Sequence, residues 1–296
     1  MFNLKKEKLY EGKFAGAVFS AAILLYIFIS SVGGLILSSA GAKQTDFIYV
    51  LISALFSVVA LFIVTFTVGR LRGERLFSVV KAEKFNPVYL LFSVAVAVGV
   101  FCGFGFINDA VARLIEKLNG NVGGISLDVN TPTELVLFII LYAILPAAIE
   151  EFFFRGLIAT SLRGLKNEIL TAVLTGLVFA FYHANFSQLI YQFIYGFALT
   201  LLTIRSRSVL PAVLAHFLNN LAVILFTYFK VDINLYSPFL IAAGVLIVFA
   251  LGVLFFAFNK KEKENKNTEG AGGFFIYASV GIALCVLIMI GSVIKV

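Results

Sequence analysis

The chain has 296 residues, of which 61% are hydrophobic and 13% are charged. Soluble domains hold about 45–50% apolar and about 25% charged residues, so the composition excludes an ordinary soluble domain. The net charge of +7 would also suit a protein that binds nucleic acid. In a membrane protein, however, basic loops on the inner side explain such a charge, and no nucleic-acid partner is expected.

The apolar residues lie in nine blocks, and most of these have about the 20-residue length at which a helix crosses a bilayer core. A membrane β-barrel would show shorter, alternating segments instead. The predicted fold class is therefore all-α, a polytopic transmembrane bundle of eight to nine spanning helices. The sixth block is short and begins almost where the fifth ends, which indicates a tilted or partly re-entrant helix. In chain order the blocks are Phe14–Ser39, Phe47–Gly69, Val88–Ile107, Thr133–Leu157, Ile169–Ser187, Leu189–Ile204, Val209–Phe229, Ser237–Phe258 and Phe274–Ile294.

Basic residues concentrate at alternate ends of these blocks. With the N-terminus inside, the inner segments hold 18 of the 23 Lys and Arg residues and the outer segments hold 5. Positively charged loops favour the cytoplasmic side of a membrane. The bias predicts an integral membrane protein, which we expect in a prokaryotic plasma membrane, with a cytoplasmic N-terminus. If all nine blocks span, the C-terminus is external.

Two polar segments suggest how the chain is divided. The segment from Asn108 to Pro132 carries charged residues at helical spacing, which predicts an amphipathic helix at the membrane interface. Residues 259–273 are polar and end in glycines, which predicts a flexible cytoplasmic linker. We therefore expect N-terminal helices with the interfacial segment (1–132), a central helical core (133–230) and C-terminal helices that include the linker (231–296).

The fourth block contains an acidic pair, Glu150 and Glu151, followed by Arg155. A charged side chain at membrane depth costs about 2.5–3.5 kcal/mol on insertion scales and marks a functional site by default. Glu151 and Arg155 are four residues apart, so they share a helix face and can pair. Glu150 lies about 100° around the helix and has no such local partner. The pattern predicts Glu150 as a general acid or base, with Glu151 and Arg155 supporting it. If the helix ends earlier, the acidic pair belongs instead to a charged cytoplasmic terminus.

The only two histidines of the chain follow in the fifth and seventh blocks. Phe179 and His183 are four residues apart, as are His216 and Asn220. Glu150 and the two histidines could meet around a water, with or without a metal, because two His and one Glu form a known zinc site with an open position. The Asn220 amide could stabilise an oxyanion. One membrane histidine alone is often just an interhelical hydrogen-bonding group, so the combination with the acidic pair carries this prediction.

The motifs EExxxR, FxxxH and HxxxN, in this order, resemble the CPBP family of intramembrane proteases. That family includes the type II CAAX prenyl endopeptidases and the bacterial Abi or bacteriocin-immunity proteins. The resemblance covers about residues 133–227. It implies hydrolysis of a peptide bond in or near the bilayer. The implied substrates are membrane-associated peptides or proteins, and prenylated CAAX proteins are one such class. The matching residues are Glu150, Glu151, Arg155, Phe179, His183, His216 and Asn220.

The resemblance also implies a role for each matching residue. Glu150 would activate a water with the help of His183 and His216, and Asn220 would steady the oxyanion together with His216. The remaining three motif residues, Glu151, Arg155 and Phe179, would support the site. The family has been described both as zinc-dependent and as metal-free and glutamate-dependent, and both remain open here. In the zinc case, the ligands would be Glu150, His183 and His216.

Two other functions compete with proteolysis. A proton-coupled transporter could use Glu150, Glu151, His183 and Asp109 as a relay. The other six blocks are nearly free of charge, which disfavours a polar pathway through the bundle. A non-catalytic scaffold or self-immunity protein could keep the shape of the family without its activity. That alternative predicts lost motif residues, and none is lost.

The predicted depths of the three central residues disagree. Glu150 and His216 each lie about 8 residues, or about 12 Å, from the cytoplasmic boundary, whereas His183 lies about 14 residues, or about 21 Å, beyond Ile169. A shared site requires equal depths. We therefore expect an error in a helix boundary, a fifth helix that begins deeper, near Thr175, or a steep tilt of that helix.

Overall fold

A computed structural model describes residues 11–73, 82–122, 129–165, 167–257 and 272–294. Over these ranges the chain is helical and contains no β-strand, which confirms the predicted all-α class. Eight helical stretches in the described part are long and apolar enough to cross a membrane, and a ninth apolar helix has only 15 residues. The helices are α1 (Gly12–Ser39), α2 (Phe47–Arg72), α3 (Val88–Phe104), α4 (Phe106–Lys117), α5 (Pro132–Leu165), α6 (Glu168–Tyr182), α7 (Leu189–Ser206), α8 (Leu210–Tyr228), α9 (Pro238–Ala257) and α10 (Gly272–Val293).

The end of α5 resolves the disagreement in depth. Hydropathy predicts that this helix ends at Leu157, but it continues to Leu165. Helix α6 begins at Glu168, so α5 and α6 form a hairpin with a very short connection. Glu150 lies fifteen positions before Leu165, and His183 lies fifteen positions after Glu168. The two side chains are therefore at the same level, and α6 does not need to begin deeper.

Helix α6 is shorter than the predicted block, which runs to Ser187. It ends at Tyr182, and His183 is the first residue beyond the helix. Ala184 then adopts a left-handed backbone with φ of 46°. The Asn185 side-chain oxygen accepts hydrogen bonds from the Ser187 backbone at 2.9 Å and from its hydroxyl at 2.8 Å. His183 therefore caps the C-terminal end of α6, inside the bundle. Its side chain is not part of a regular helical face.

Helix α5 departs from regular α-helical winding on both sides of the acidic pair. It begins with a capping box, in which Thr131 Oγ1 accepts from the Glu134 backbone at 3.2 Å. The stretches Ile139–Ile144 and Phe152–Ile158 are π-helical, and Leu145–Glu151 between them is α-helical. Wide turns of this kind occur mostly as short insertions in helices, often at functional sites. They change the direction in which the side chains before and after Glu150 project.

The outer helices pack through small residues. Helix α10 crosses α1 where Gly281 faces Phe19, so closely that an added Cβ would lie 2.9 Å from the Phe19 ring. Ser20 Oγ also donates to the Tyr277 carbonyl at 2.6 Å. Helix α9 crosses α3 at Gly244, against the backbone of Gly103. Without a hydrophobic force between helices in lipid, such close approach favours association through van der Waals contact.

The structure bears on one of the two predicted polar segments. Helix α4 provides the predicted amphipathic helix and ends at Lys117, and no residue in it is buried. Residues 259–271 of the predicted linker lie outside the described residues. The division at residues 132 and 230, the orientation in the membrane and the proposed interfacial position of α4 stay predictions.

Candidate active site

The acidic pair lies at the end of the α-helical stretch of α5, between the two π-helical stretches. Glu150 is 7% exposed and Glu151 is fully buried. Arg155 is also buried, at 1%. The pair is therefore not part of a solvated helix end, because α5 continues beyond it to Leu165.

Glu151 accepts hydrogen bonds from two other residues of the site. Its Oε1 accepts from Arg155 Nη1 at 2.6 Å, across one helical turn, and from His216 Nδ1 at 2.8 Å. Arg155 Nη2 donates to the Gly196 carbonyl at 2.9 Å. One buried carboxylate and its arginine thus connect α5, α7 and α8. Charge-assisted hydrogen bonds of this length are about twice as strong as neutral ones, so they fix the rotation of α5 relative to its neighbours.

His183 is held by backbone rather than by a charge. Its Nδ1 lies 2.8 Å from the Phe179 carbonyl oxygen. A carbonyl only accepts, so Nδ1 carries the proton and donates. The Phe179 ring lies 4.7 Å from the His183 ring and 5.7 Å from the His216 ring, measured between centroids. The Arg155 guanidinium stacks over the same ring at 4.4 Å. Phe179 therefore packs against both imidazoles and against the guanidinium of the buried ion pair.

Both imidazoles direct the other nitrogen, Nε2, toward Glu150. Glu150 Oε2 lies 3.9 Å from Nε2 of His183 and 4.0 Å from Nε2 of His216. These separations are too long for direct hydrogen bonds, which lie near 2.7–3.2 Å. A polar contact beyond about 3.5 Å is the spacing at which a water can bridge the two groups. Among the described atoms, Glu150 Oε2 is buried and has no hydrogen-bond partner.

The same three atoms can be tested against a zinc ion. Tetrahedral zinc with bonds of about 2.0–2.1 Å places its ligand atoms about 3.3 Å apart. The distances of 3.9 and 4.0 Å from Glu150 to the two histidines are wider than this. Within the described ranges, no group of three His, Cys, Asp or Glu side chains has a spacing that could hold a metal ion. The residues in this arrangement therefore do not fit a zinc ion, although their chemical types would suit one.

Asn220 lies one turn beyond His216 on α8 but belongs to a second polar cluster. Its Nδ2 donates to the Tyr142 carbonyl at 3.2 Å. Tyr142 lies four residues before Pro146, which has no N–H, so the carbonyl lacks its α-helical donor and can accept from α8. Asn219 Nδ2 lies 3.5 Å from Asn220 Oδ1. An amide NH₂ has two donors, so Asn220 keeps one N–H beyond the bond to Tyr142.

Sequence reasoning missed four residues that hold the site. They are Tyr142 and Asn219 in the amide cluster, Tyr191, whose hydroxyl donates to Asn219 Oδ1 at 2.6 Å, and Gly196, which accepts from Arg155. Tyr142 could have been found from Pro146, because a proline leaves the carbonyl four residues earlier without its helical donor. No pattern marked Tyr191 or Gly196, because their partners lie on other helices. Asp109, a possible relay residue, is exposed on α4, and the described contacts join it to neither Glu150 nor His183.

The central helices of the chain match a known protein family. No curated protein matches the chain at a significant level. A family model matches residues 132–222, which include all seven motif residues and most of helices α5 to α8. This confirms the resemblance predicted from the motifs: the segment 132–222 matches the family described as Type II CAAX prenyl endopeptidase Rce1-like.

Proposed function

We propose that the protein is an intramembrane endopeptidase that hydrolyses a peptide bond of a membrane-associated substrate. The observation that carries the proposal is the position of Glu150. Its buried Oε2 faces two imidazole nitrogens at 3.9 and 4.0 Å, a spacing that suits one shared water. The match of residues 132–222 to an endopeptidase family supports the same reaction class. Prenylated CAAX-type proteins are the substrate class that the family's name suggests.

In the proposed reaction, Glu150 is the general base. A water held between Glu150 and the two histidines attacks the scissile carbonyl carbon and gives a proton to the Glu150 carboxylate. The new C–O bond forms as the carbonyl π bond becomes an oxyanion. Glu150 then gives its proton to the amide nitrogen, the oxyanion forms the carbonyl again as the C–N bond breaks, and a carboxylic acid and an amine leave. General acid–base catalysis of this kind contributes about 10²–10⁴-fold to the rate.

The other residues of the site orient the water and the oxyanion. Since Nδ1 of each histidine donates to a fixed acceptor, Nε2 of each neutral imidazole is an acceptor. The water has two protons, so it donates one to Glu150 and the other to one of the two Nε2 atoms. The free N–H of Asn220 is the donor that we assign to the oxyanion. Glu151 and Arg155 act through His216, whose ring they hold. The proposed steps use only side chains of this chain, and none of them passes through a metal.

Cleavage in proteoliposomes tests the proposal. The substrates are a farnesylated CAAX reporter peptide and a set of unmodified membrane peptides, assayed with wild type, Glu150→Gln and His216→Ala. We expect Glu150→Gln, which keeps the shape of the side chain, to lower kcat by about 10³-fold, because the amide cannot take a proton. His216→Ala should lower the rate as well. Glu168→Gln is the matched control, since Glu168 is the first residue of α6 and pairs with Arg205 at 2.8 Å.

The two variants and the control separate the possible outcomes. Cleavage that is lost in Glu150→Gln and retained in Glu168→Gln supports the assignment of Glu150. Cleavage that persists in Glu150→Gln contradicts it. A folded wild type that cleaves none of the peptides, including the farnesylated one, counts against proteolysis and favours the scaffold alternative.

A further inference from the structure

The side-chain amide of Asn220 has two ends, and only one of them can stabilise an oxyanion. The NH₂ group donates hydrogen bonds, whereas the oxygen would repel a developing negative charge. The two ends have nearly the same size, so packing alone does not determine which one faces the substrate. The hydrogen-bond partners of the amide must determine it, and they lie on α5, α7 and α8.

The Tyr142 carbonyl fixes the orientation of the Asn220 amide. This oxygen can only accept, so the Asn220 group that lies 3.2 Å from it is the Nδ2 donor. The Asn220 oxygen then points to Asn219, whose Nδ2 lies 3.5 Å away. Asn219 in turn presents its own oxygen to the Tyr191 hydroxyl, which donates to it at 2.6 Å. Every hydrogen bond therefore runs in one direction, from Tyr191 through Asn219 to Asn220.

The first two members of this series are buried and held in place. Tyr191 is 4% exposed and Asn219 is 8% exposed, so solvent has little access to replace a missing partner. The Tyr191 ring stacks with the Tyr195 ring at 6.0 Å between centroids, and Tyr195 packs edge-on against His216 at 6.0 Å. Helix α7 therefore contacts His216 directly and reaches Asn220, one turn further along α8, through Asn219.

We infer that Tyr191 and Asn219 are positioning residues, which keep the Asn220 NH₂ directed at the reacting carbonyl. The inference rests on the proposed peptidase function. Without the Asn219 donor, the Asn220 oxygen loses its partner on the side away from the substrate, and the amide can turn. A donor to an amide oxygen also polarises the N–H groups of that amide, which strengthens them as oxyanion donors. Because both residues act through Asn220, they should affect kcat and leave KM unchanged.

The double variant Tyr191→Phe, Asn219→Leu tests the inference by peptide cleavage in proteoliposomes. Replacing both partners of a buried hydrogen bond by apolar groups of similar shape is nearly neutral for stability, so this variant should fold. We expect kcat to fall about fivefold with KM unchanged, which is the effect of about one hydrogen bond. In an Asn220→Ala background the same double substitution should have no effect. Tyr89→Phe is the matched control, because it removes a hydroxyl that donates to the Arg205 carbonyl at 2.8 Å, and kcat should not change.

NMR of isotopically labelled asparagine side chains in nanodiscs separates this inference from the proposed function. The Asn220 NH₂ signals are identified by their absence in Asn220→Ala. Tyr191→Phe should shift them, although the lost hydroxyl is bonded to Asn219, and Tyr89→Phe should not. The inference is overturned by unchanged Asn220 signals, by an unchanged kcat in the folded double variant, or by a loss of kcat that persists in the Asn220→Ala background. A folded wild type that cleaves no peptide contradicts the proposed function instead, and the NMR result does not depend on cleavage.

Discussion

The core of α5 to α8 and the helices around it are held together by different interactions. In the core, buried charged groups make directional bonds, as Glu151 does with Arg155 and His216. The surrounding helices contact one another through neutral groups, as in the approach of Gly244 to the Gly103 backbone and the bond of Ser20 to the Tyr277 carbonyl. Hydrogen bonds to charged groups fix the orientation of individual side chains, whereas close packing fixes the distance and crossing angle of whole helices. We therefore expect the core to determine the positions of the catalytic side chains, and the surrounding helices to contribute mainly to stability.

The largest expected effect comes from breaking the directional bonds. Glu151→Ala leaves Arg155 and His216 buried without their acceptor. Removing one partner of a buried ion pair costs about 3–5 kcal/mol, because an uncompensated charge remains. We therefore expect the free energy of unfolding, measured by denaturant titration in detergent, to fall by that amount. Cleavage should be lost as well, since the His216 ring is no longer held.

The matched control is Glu168→Ala at the start of α6. The Glu168 side chain is 42% exposed and pairs with Arg205, so solvent screens the pair. Exposed pairs contribute about 0–1 kcal/mol. A similar loss of stability in both variants would show that burial of the Glu151 pair is not what matters, and it would remove the distinction between core and periphery.

A smaller effect should follow when close packing is disturbed. Gly244→Val places a side chain in the backbone of Gly103, so α9 must move away from α3. Overpacking of this kind costs about 1–3 kcal/mol. We expect the unfolding free energy to fall by this amount, while the cleavage rate per folded molecule stays the same.

The same helix provides the control for that substitution. A Cβ at Gly252 would meet no atom within 4 Å, so Gly252→Val should not lower stability. If Gly244→Val slows cleavage without unfolding the protein, the outer helices also determine catalytic geometry, and the comparison must be revised.

The sequence predicts the local part of this architecture well and the interhelical part poorly. Spacing within one helix put Glu151 and Arg155 on one face, and the structure pairs them. The bond from His216 to the same carboxylate joins residues 65 positions apart, and no periodicity indicates which faces of two helices meet. The end of α6 was also missed, because alanine at position 184 gives no sign of a left-handed backbone.

A modest effect is expected at the kink of α5. Pro146→Ala restores an N–H that can donate to the Tyr142 carbonyl and compete with Asn220. If Asn220 moves, the oxyanion donor is misplaced, and we expect kcat to fall by about tenfold with little change in KM. Stability should not fall, because alanine suits a helix interior better than proline. The effect should vanish in an Asn220→Ala background, and an additive loss in the double variant would show that Pro146 acts elsewhere.

The smallest expected effect is that of metal removal, and it tests how the core positions its water. If Glu150 and the two histidines hold a water directly, cleavage should be the same before and after dialysis against a chelator, and the purified protein should carry no stoichiometric zinc by elemental analysis. Metal-bound water would instead require both Nε2 atoms to lie closer to Glu150 Oε2 than the 3.9 and 4.0 Å found. Activity that is lost with chelator and restored by zinc would mean that the two histidines move inward on binding. Such movement is easiest for His183, whose ring follows the end of α6 and is held only by the Phe179 carbonyl, and hardest for His216, which the Glu151 ion pair holds.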